Sequence, residues 1–233
     1  MPEPHQASRF ATPVLNFTAA QVLELAGQLA EGAPDPRAYV QRAHQHLDEH
    51  LGTIYSLDQR QPAGATLRRG AGSCEQRTAC LEALARARGV PTRVRGLWLD
   101  RSFWAHRLPL LQPLMPRRML VPWPQFFLDG AWVDLDELYG PIERLAAHAT
   151  HPFTNQGPSL FSAVRTVAVD LLGKLEGTPL AAFSLARLVV GDEGLFDTRD
   201  DLLQRFLPHP GAVGTLLFNA LYGGRPVRRR EEA

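Results

Sequence analysis

The chain contains little cysteine and almost no lysine. Among its 233 residues there are two cysteines, Cys74 and Cys80, and a single lysine, Lys174. The cysteines lie six residues apart on one predicted helix, about 9 Å apart along its axis, so they cannot form a disulfide unless that helix unwinds. Two unpaired thiols are typical of a reducing compartment, and we expect a cytoplasmic protein.

Several other features are missing. No apolar run approaches the length of about 20 residues that a membrane span needs, and the N-terminal MPEPHQASRF does not resemble a signal peptide. The formal net charge of +1 provides no field that would attract nucleic acid or an acidic membrane, so we expect neither as a partner. Zinc-ligand spacings and phosphate-binding glycine loops are also missing, which predicts no metal and no cofactor.

What remains is a globular composition, with 45% hydrophobic and 21% charged residues. Residues 1–50 are predicted to form a helical layer. Thr18 and Gln21 have the spacing of a capping box before a first helix, and Asp35-Pro36 is typical of the start of a second one.

Three histidines lie on the second predicted helix, beside its apolar stripe. His46 and His50 are four residues apart and could share a metal, but no third ligand is evident. We therefore expect these two, together with His44, to form a solvated face.

Residues 51–140 are predicted to form the core. The segment 56–73 has no steady period and is predicted to be a loop, after which Ser73 and Gln76 have capping-box spacing at the start of a new helix. TRVRGLWL is then typical of a strand, and PQFFLDGAWVDLD of a hairpin that turns at Asp129-Gly130. The insertion 100–120 between them is predicted to be a lid or a short helical cover.

Residues 141–233 are predicted to be a helical extension. Apolar stripes indicate helices at 160–175 and 179–190, a third helix beginning near Thr198, and a short apolar helix within AVGTLLFNALYGG. The expected class is therefore α+β, and the three segments 1–50, 51–140 and 141–233 are expected to form one compact domain.

Cys74 follows a glycine-containing turn and begins the helix capped by Ser73. Orphan N–H groups and the positive end of the dipole lower the pKa of a thiol at such a position, which favours a nucleophilic cysteine. The alternative is a small, buried residue at a turn. Cys80 lies in the helix interior and is predicted to be inert.

The run GAGSCEQRTACLEALARARGVPTRVRGLWL resembles the nucleophile region of the transglutaminase-like superfamily, in which a G-x-C turn opens a helix that leads into a strand. WPQFFLDGAWVDLD resembles the next two strands of that family. The resemblance covers residues 52–140. It implies a papain-like Cys-His-Asp fold in which the nucleophile helix packs on a small antiparallel sheet.

The resemblance also implies roles for individual residues. It makes Cys74 the nucleophile and Asp136 the acid that orients the histidine, with Asp134 as a substitute. The position of the family's histidine is occupied by Val121, and Gln125 stands where the family often has Glu.

Another histidine would have to act as the base. His106, in the insertion 100–120, is the best candidate, because a lid residue can reach the pocket that it covers; the alternative is that it caps a turn or lies at the surface. His148, His151 and His209 lie in the predicted extension, where the sequence gives no distance to Cys74.

Two functions remain open. The first is a cysteine amidase, protease or acyltransferase that acts on a peptide, amide or ester through a thioester at Cys74. The second is a catalytically inactive transglutaminase-fold module that binds a peptide or a protein partner.

Six apolar residues are expected to join the Cys74 helix to the sheet as core. They are Leu81, Leu84, Val94, Trp98, Phe127 and Trp132.

Overall fold

The computed structural model describes residues 6–107 and 115–207. The α-helices in these ranges are α1 (Ala20–Ala30), α2 (Pro36–His50), α3 (Ala63–Arg69), α4 (Cys74–Ala87), α5 (Ile142–His148), α6 (Leu160–Ala163) and α7 (Arg199–Phe206). The strands are β1 (Gly52–Thr53), β2 (Ala71–Gly72), β3 (Thr92–Asp100), β4 (Arg118–Leu128), β5 (Ala131–Asp134) and β6 (Val189–Phe196). No helix within these ranges has the length and apolar character that crossing a membrane requires.

Two helix starts agree with the sequence prediction. The Asp35 side chain accepts a hydrogen bond from the Ala38 N–H at 2.8 Å, and α2 begins at Pro36. At α4 the capping box is complete, because Ser73 Oγ accepts from the Gln76 N–H and Gln76 Oε1 accepts from the Ser73 N–H. These bonds satisfy donors that the first helical turn leaves free, which fixes where α4 begins.

Two predictions for the N-terminal part are wrong. Helix α1 has Ala19 at its N-cap without a side-chain bond, so Thr18 and Gln21 form no capping box. The segment 56–73 is not all loop, since it contains α3 and the short strand β2, which pairs in parallel with β1. The sequence AGATLRR of α3 carries too few large apolar residues to show a helical period.

The main sheet has the strand order β5-β4-β3-β6, and all its pairs are antiparallel. The predicted hairpin between β4 and β5 is confirmed: Asp129 and Gly130 both have positive φ, 53° and 77°, as a tight two-residue turn requires. The largest apolar cluster joins α1, α2 and α4 to the sheet. A second cluster packs α7 against β3 and β4, through residues that include Val94, Leu120 and Leu202. The α+β class, with the Cys74 helix packed on a small antiparallel sheet, is confirmed.

The C-terminal part is less helical than predicted. The helix predicted at 160–175 is only α6, four residues long, and the one predicted at 179–190 is replaced by two short 3-10 turns and the beginning of β6. Strand β6 bonds to the free edge of β3, a long-range pairing that a local apolar stripe does not reveal. Helix α7 begins after Thr198, which caps it as predicted. AVGTLLFNALYGG lies outside the described residues.

Half of the predicted core is correct. Leu81, Leu84 and Val94 are fully buried, whereas Trp98, Phe127 and Trp132 are only half-buried. Phe127 and Trp132 face each other across the hairpin, with ring centroids 5.4 Å apart, near the end of the sheet. The buried aromatic residues of β4 are instead Trp123 and Phe126.

Candidate functional site

Cys74 is the first residue of α4 and is half-buried. The turn before it has little room: a Cβ on Gly72 would lie 2.9 Å from Thr66 Cγ2 and 3.3 Å from Gln76 Cβ. The Gly72 carbonyl also accepts a bond from the Ile54 N–H at 3.1 Å. A glycine at this position therefore brings the turn close to α3 and sets the direction in which α4 leaves it.

The surroundings of the thiol oppose its ionisation. Burial raises the pKa of Cys74, and the adjacent Glu75 raises it further. A bond from the Phe161 backbone N–H and the charges of Arg77 and Arg107 act in the opposite direction but are weaker. Desolvation therefore acts against the lowering of this pKa that is expected from the helix terminus.

A segment of the C-terminal part lies against Cys74. Phe161 is fully buried, and its ring packs on the Arg77 guanidinium at 4.4 Å. Arg77 also donates to Asp48 at 2.9 Å and to Ser159 at 3.2 Å, so α2, α4 and α6 are tied together around one buried cation. We call residues 153–163 the cover segment.

The described start of the insertion packs on this cover segment. Residues Arg101–Trp104 form a 3-10 helix, and Phe103 lies 6.2 Å from Phe153 between ring centroids. Asn155 Nδ2 donates to the Phe103 carbonyl at 2.9 Å, while Arg107 donates to Asn155 Oδ1 at 2.7 Å. The insertion therefore begins as the short helical cover that the sequence predicted.

The structure does not bring His106 into contact with the thiol. His106 is exposed, and within residues 6–107 and 115–207 no hydrogen bond joins Cys74 to an imidazole or to Asp136. The exposed surface position is the alternative given for His106 above, and its role as the base stays a prediction. His148 and His151 are exposed as well, and His209 lies outside the described residues.

Asp136 is fully buried in the turn Leu135–Glu137 that follows β5, and it binds Lys174. The Lys174 ammonium lies 2.9 Å from Asp134, 3.1 Å from Asp136 and 2.9 Å from Glu137. Burial raises the pKa of Asp136 to about 7; Lys174 opposes this rise, and the two neighbouring carboxylates add to it. Asp134 and Asp136, the two residues predicted as the acid, therefore both form an ion pair with Lys174, the chain's only lysine.

Among the residues that the structure describes, the same three carboxylates have oxygens close enough together to hold a metal ion. One oxygen from each of Asp134, Asp136 and Glu137 lies within 4.8 Å of the others. Because the Lys174 ammonium bonds to all three, this group forms an ion-pair cluster in which a lysine supplies the positive charge that a metal would bring.

The polar network continues along the sheet. Gln125 Nε2 donates to Asp134 at 2.7 Å, and Arg93 donates to Gln125 Oε1 at 2.6 Å. Val121, four residues before Gln125 on β4, lies opposite Leu97 and is buried in the main apolar cluster. Its assignment to the histidine position still rests on the resemblance.

His44 contradicts the prediction of a solvated face. It is fully buried, donates through Nε2 to the Phe161 carbonyl at 2.7 Å, and bonds the Tyr139 hydroxyl through Nδ1 at 2.9 Å. Burial lowers its pKa to about 4. The sequence held a signal for this, since position 44 is one turn beyond Val40 and next to Ala43, both on the buried stripe.

Three comparisons with known proteins bear on this arrangement. A family profile described as the transglutaminase-like superfamily matches residues 23–137. A candidate cysteine protease from Cytophaga hutchinsonii has a similar structure over 55% of this chain and 39% of its own, with 16% identity and a TM-score of 0.43. A candidate protease from Parabacteroides distasonis has a similar structure over 51% of this chain and 24% of its own, with 13% identity and a TM-score of 0.36.

The chain thus spans about two fifths and one quarter of the length of these two proteins. A comparison with curated proteins finds no match. The family profile covers the helix that begins at Cys74, the strands β3 to β5 and the turn that carries Asp136. Residues 23–137, just under half of the chain, therefore match the transglutaminase-like superfamily.

Proposed function

We propose that this protein is a transglutaminase-fold module that binds a peptide segment of a partner without cleaving or acylating it. The observation that carries the proposal is the contact between Asp136 and Lys174. In a Cys-His-Asp triad the carboxylate accepts a hydrogen bond from the imidazole N–H and so orients that ring. Here the carboxylate bonds an ammonium instead.

The thiol supports the same proposal. A nucleophilic cysteine needs a lowered pKa or a base within hydrogen-bond reach. Burial raises the pKa of Cys74, and its polar contacts are the Phe161 N–H and the charges of Glu75, Arg77 and Arg107 rather than an imidazole. This favours the inactive module over the thioester enzyme, which is the alternative function.

The contacts of the cover segment support peptide binding. Arg107 donates to the main-chain carbonyls of Gly157 at 2.8 Å and Pro158 at 2.6 Å, and His44 donates to that of Phe161. The Phe161 N–H bonds the Cys74 sulfur. The groups that hold the cover segment through its main-chain atoms offer the same donors and acceptors to an extended peptide from a partner, which would replace that segment.

Thiol reactivity tests the catalytic half of the proposal. In a Cys80→Ala background, the rate of alkylation by iodoacetamide is measured from pH 6 to 10. We expect Cys74 to titrate at or above the value of about 8.5 for an ordinary cysteine, and His106→Ala to leave the curve unchanged. Val121→His should lower the apparent pKa, because an imidazolium beside the thiolate stabilises it.

An apparent pKa below about 7 that returns to the ordinary value in His106→Ala would identify His106 as a working base and the protein as an enzyme. Cleavage or acylation of an amide or ester that is lost in Cys74→Ala would have the same meaning.

Selection from a phage-displayed peptide library tests the binding half. Enriched peptides should bind wild-type protein, bind Arg107→Ala weakly, and change the alkylation rate of Cys74 when they displace the cover segment. Arg95→Ala is the matched control, since Arg95 is a half-exposed arginine that pairs with Asp192 instead of main-chain carbonyls. Peptides that bind all three proteins equally would place the binding surface elsewhere and refute the assignment to the site under the cover segment.

A further inference from the structure

A pocket of about 250 Å³ lies among α1, α2 and α3, and none of the contacts described above for Cys74 or Asp136 involves its residues. Glu24 lines it from α1, His46 and His50 from α2, and Arg68 from α3. Its wall is unusual in having two imidazoles side by side. The rings of His46 and His50 are stacked, with centroids 4.3 Å apart and planes 15° apart.

Two histidines at positions i and i+4 of a helix face the same side, one turn apart. This is the spacing with which helical histidine pairs bind zinc, because two imidazole nitrogens can then reach one ion. The pair is in helix α2, whose backbone is regular from Pro36 to His50, so the spacing is fixed by the element itself.

One hydrogen bond prepares His50 to act as a ligand. Its Nδ1 lies 3.0 Å from the carbonyl oxygen of His46, which can only accept, so the proton is on Nδ1. The lone pair is therefore on Nε2. Metal-binding histidines regularly donate their other ring N–H to a backbone carbonyl in this way.

The charges around the pair are mixed. Partial burial and the neighbouring His50 lower the pKa of His46, while Glu49 acts in the opposite direction. Arg68 lines the same pocket and disfavours a cation. Glu24, on the facing helix, is exposed and carries the carboxylate that can complete a site.

We propose that His46, His50 and Glu24 form a binding site for a divalent transition metal of the class that prefers imidazole, such as Zn²⁺. The ligand atoms of the three residues do not all lie within 4.8 Å of one another in the structure. The exposed Glu24 side chain must therefore rotate toward the two imidazoles, and water supplies the remaining ligand.

Titration of untagged protein with ZnCl₂ by isothermal calorimetry tests the site. We expect one Zn²⁺ whose binding weakens at least about tenfold in His46→Ala and in His50→Ala, and less in Glu24→Gln. His148→Ala is the matched control, because His148 Nδ1 also bonds the carbonyl four residues earlier, at 2.7 Å, and residue 144 is an arginine rather than a second imidazole. It should bind Zn²⁺ like wild type.

A wild-type protein without saturable Zn²⁺ binding would overturn the proposal, as would an equal loss in His46→Ala and His148→Ala. Because a substitution at the half-buried His46 could disturb α2, imidazole NMR signals of the wild-type protein give a second readout. Zn²⁺ should shift the signals of two histidines together, and these should be the two that are missing from the spectra of His46→Ala and His50→Ala. Selective shifts of any other histidine would refute the site.

Discussion

Lys174→Met is the substitution that bears most directly on the candidate site. It keeps a side chain of similar length but removes the ammonium that binds three carboxylates at 2.9, 3.1 and 2.9 Å. Asp134, Asp136 and Glu137 then face one another within 4.8 Å with no counter-ion among the contacts described for them. We expect the variant to be substantially less stable than wild type.

The size of the loss follows from burial. Removing one partner of a fully buried ion pair costs about 3–5 kcal/mol, since it leaves an uncompensated charge. The Asp136 side chain is fully buried, but Lys174 keeps 22% and Glu137 32% of their side-chain surface exposed. Water therefore screens part of the repulsion, and we expect about 3 kcal/mol at pH 8, at the low end of that range.

The loss should depend on pH. Burial raises the pKa of Asp136 to about 7 against the opposing charge of Lys174, so removing the lysine raises this pKa further. At pH 5 Asp136 is largely protonated with or without the lysine, and the repulsion is weaker. The difference in the free energy of unfolding between wild type and Lys174→Met should thus be smaller at pH 5 than at pH 8.

Urea denaturation followed by far-UV circular dichroism at the two pH values measures these differences. Adding Asp136→Asn to Lys174→Met should restore part of the stability at pH 8, as a double-mutant cycle would show. Arg165→Met is the control, because Arg165 pairs with Glu49 at 3.7 Å and the two side chains are exposed by 39% and 48%. This substitution should lower the free energy of unfolding by less than about 1 kcal/mol. A loss below about 1 kcal/mol in Lys174→Met, or one equal at both pH values, would show that the lysine does not neutralise Asp136.

Two further predictions concern the core and its pH dependence. Trp123→Ala should cost about 3–5 kcal/mol in urea denaturation because Trp123 is 1% exposed, whereas the half-buried Trp132→Ala should cost about 1–2 kcal/mol; the reverse order would mean that the hairpin packs differently. Between about pH 4 and 6.5 the raised pKa of Asp136 makes the free energy of unfolding decrease as pH rises. In the same window the lowered pKa of His44 makes the free energy of unfolding increase as pH rises. Each effect is at most about 1.4 kcal/mol per pH unit. Relative to wild type, Asp136→Asn should therefore gain stability with rising pH in this window and His44→Gln should lose it, and equal slopes in all three proteins would contradict these shifts.

The parts of the fold that the sequence predicts are those fixed by local chemistry. Asp35 and the Ser73–Gln76 pair each satisfy backbone donors within their own helical turn, so the starts of α2 and α4 can be recognised from a few letters. The same holds for the Asp129-Gly130 turn, whose two positive φ values require such residues. The family resemblance then placed Cys74 on a helix that packs on this hairpin's sheet.

The parts that escaped prediction depend on distant partners. Val189–Phe196 becomes a strand because it pairs with the edge of β3, and no pattern within the segment itself indicates that pairing. Trp132 resembles a core residue by type, but it lies near the end of the sheet, where the Arg93 guanidinium covers it at 4.1 Å. The partner of Asp136 is 38 residues away along the chain. The only available signal was that Lys174 is the chain's single lysine, a fact of composition without a position in space.

The choice of partner for Asp136 limits what its carboxylate can do. An imidazole changes protonation near neutral pH, so in a triad it can take the thiol proton and later return it. The carboxylates around Lys174 raise the pKa of its ammonium above the ordinary value of lysine, which keeps it charged across the physiological range. Lys174 therefore stays charged beside Asp136 and shuttles no proton. With Lys174 as its partner, Asp136 links the turn after β5 to the C-terminal part through an ion pair, and this contact is the one on which the proposed binding function rests.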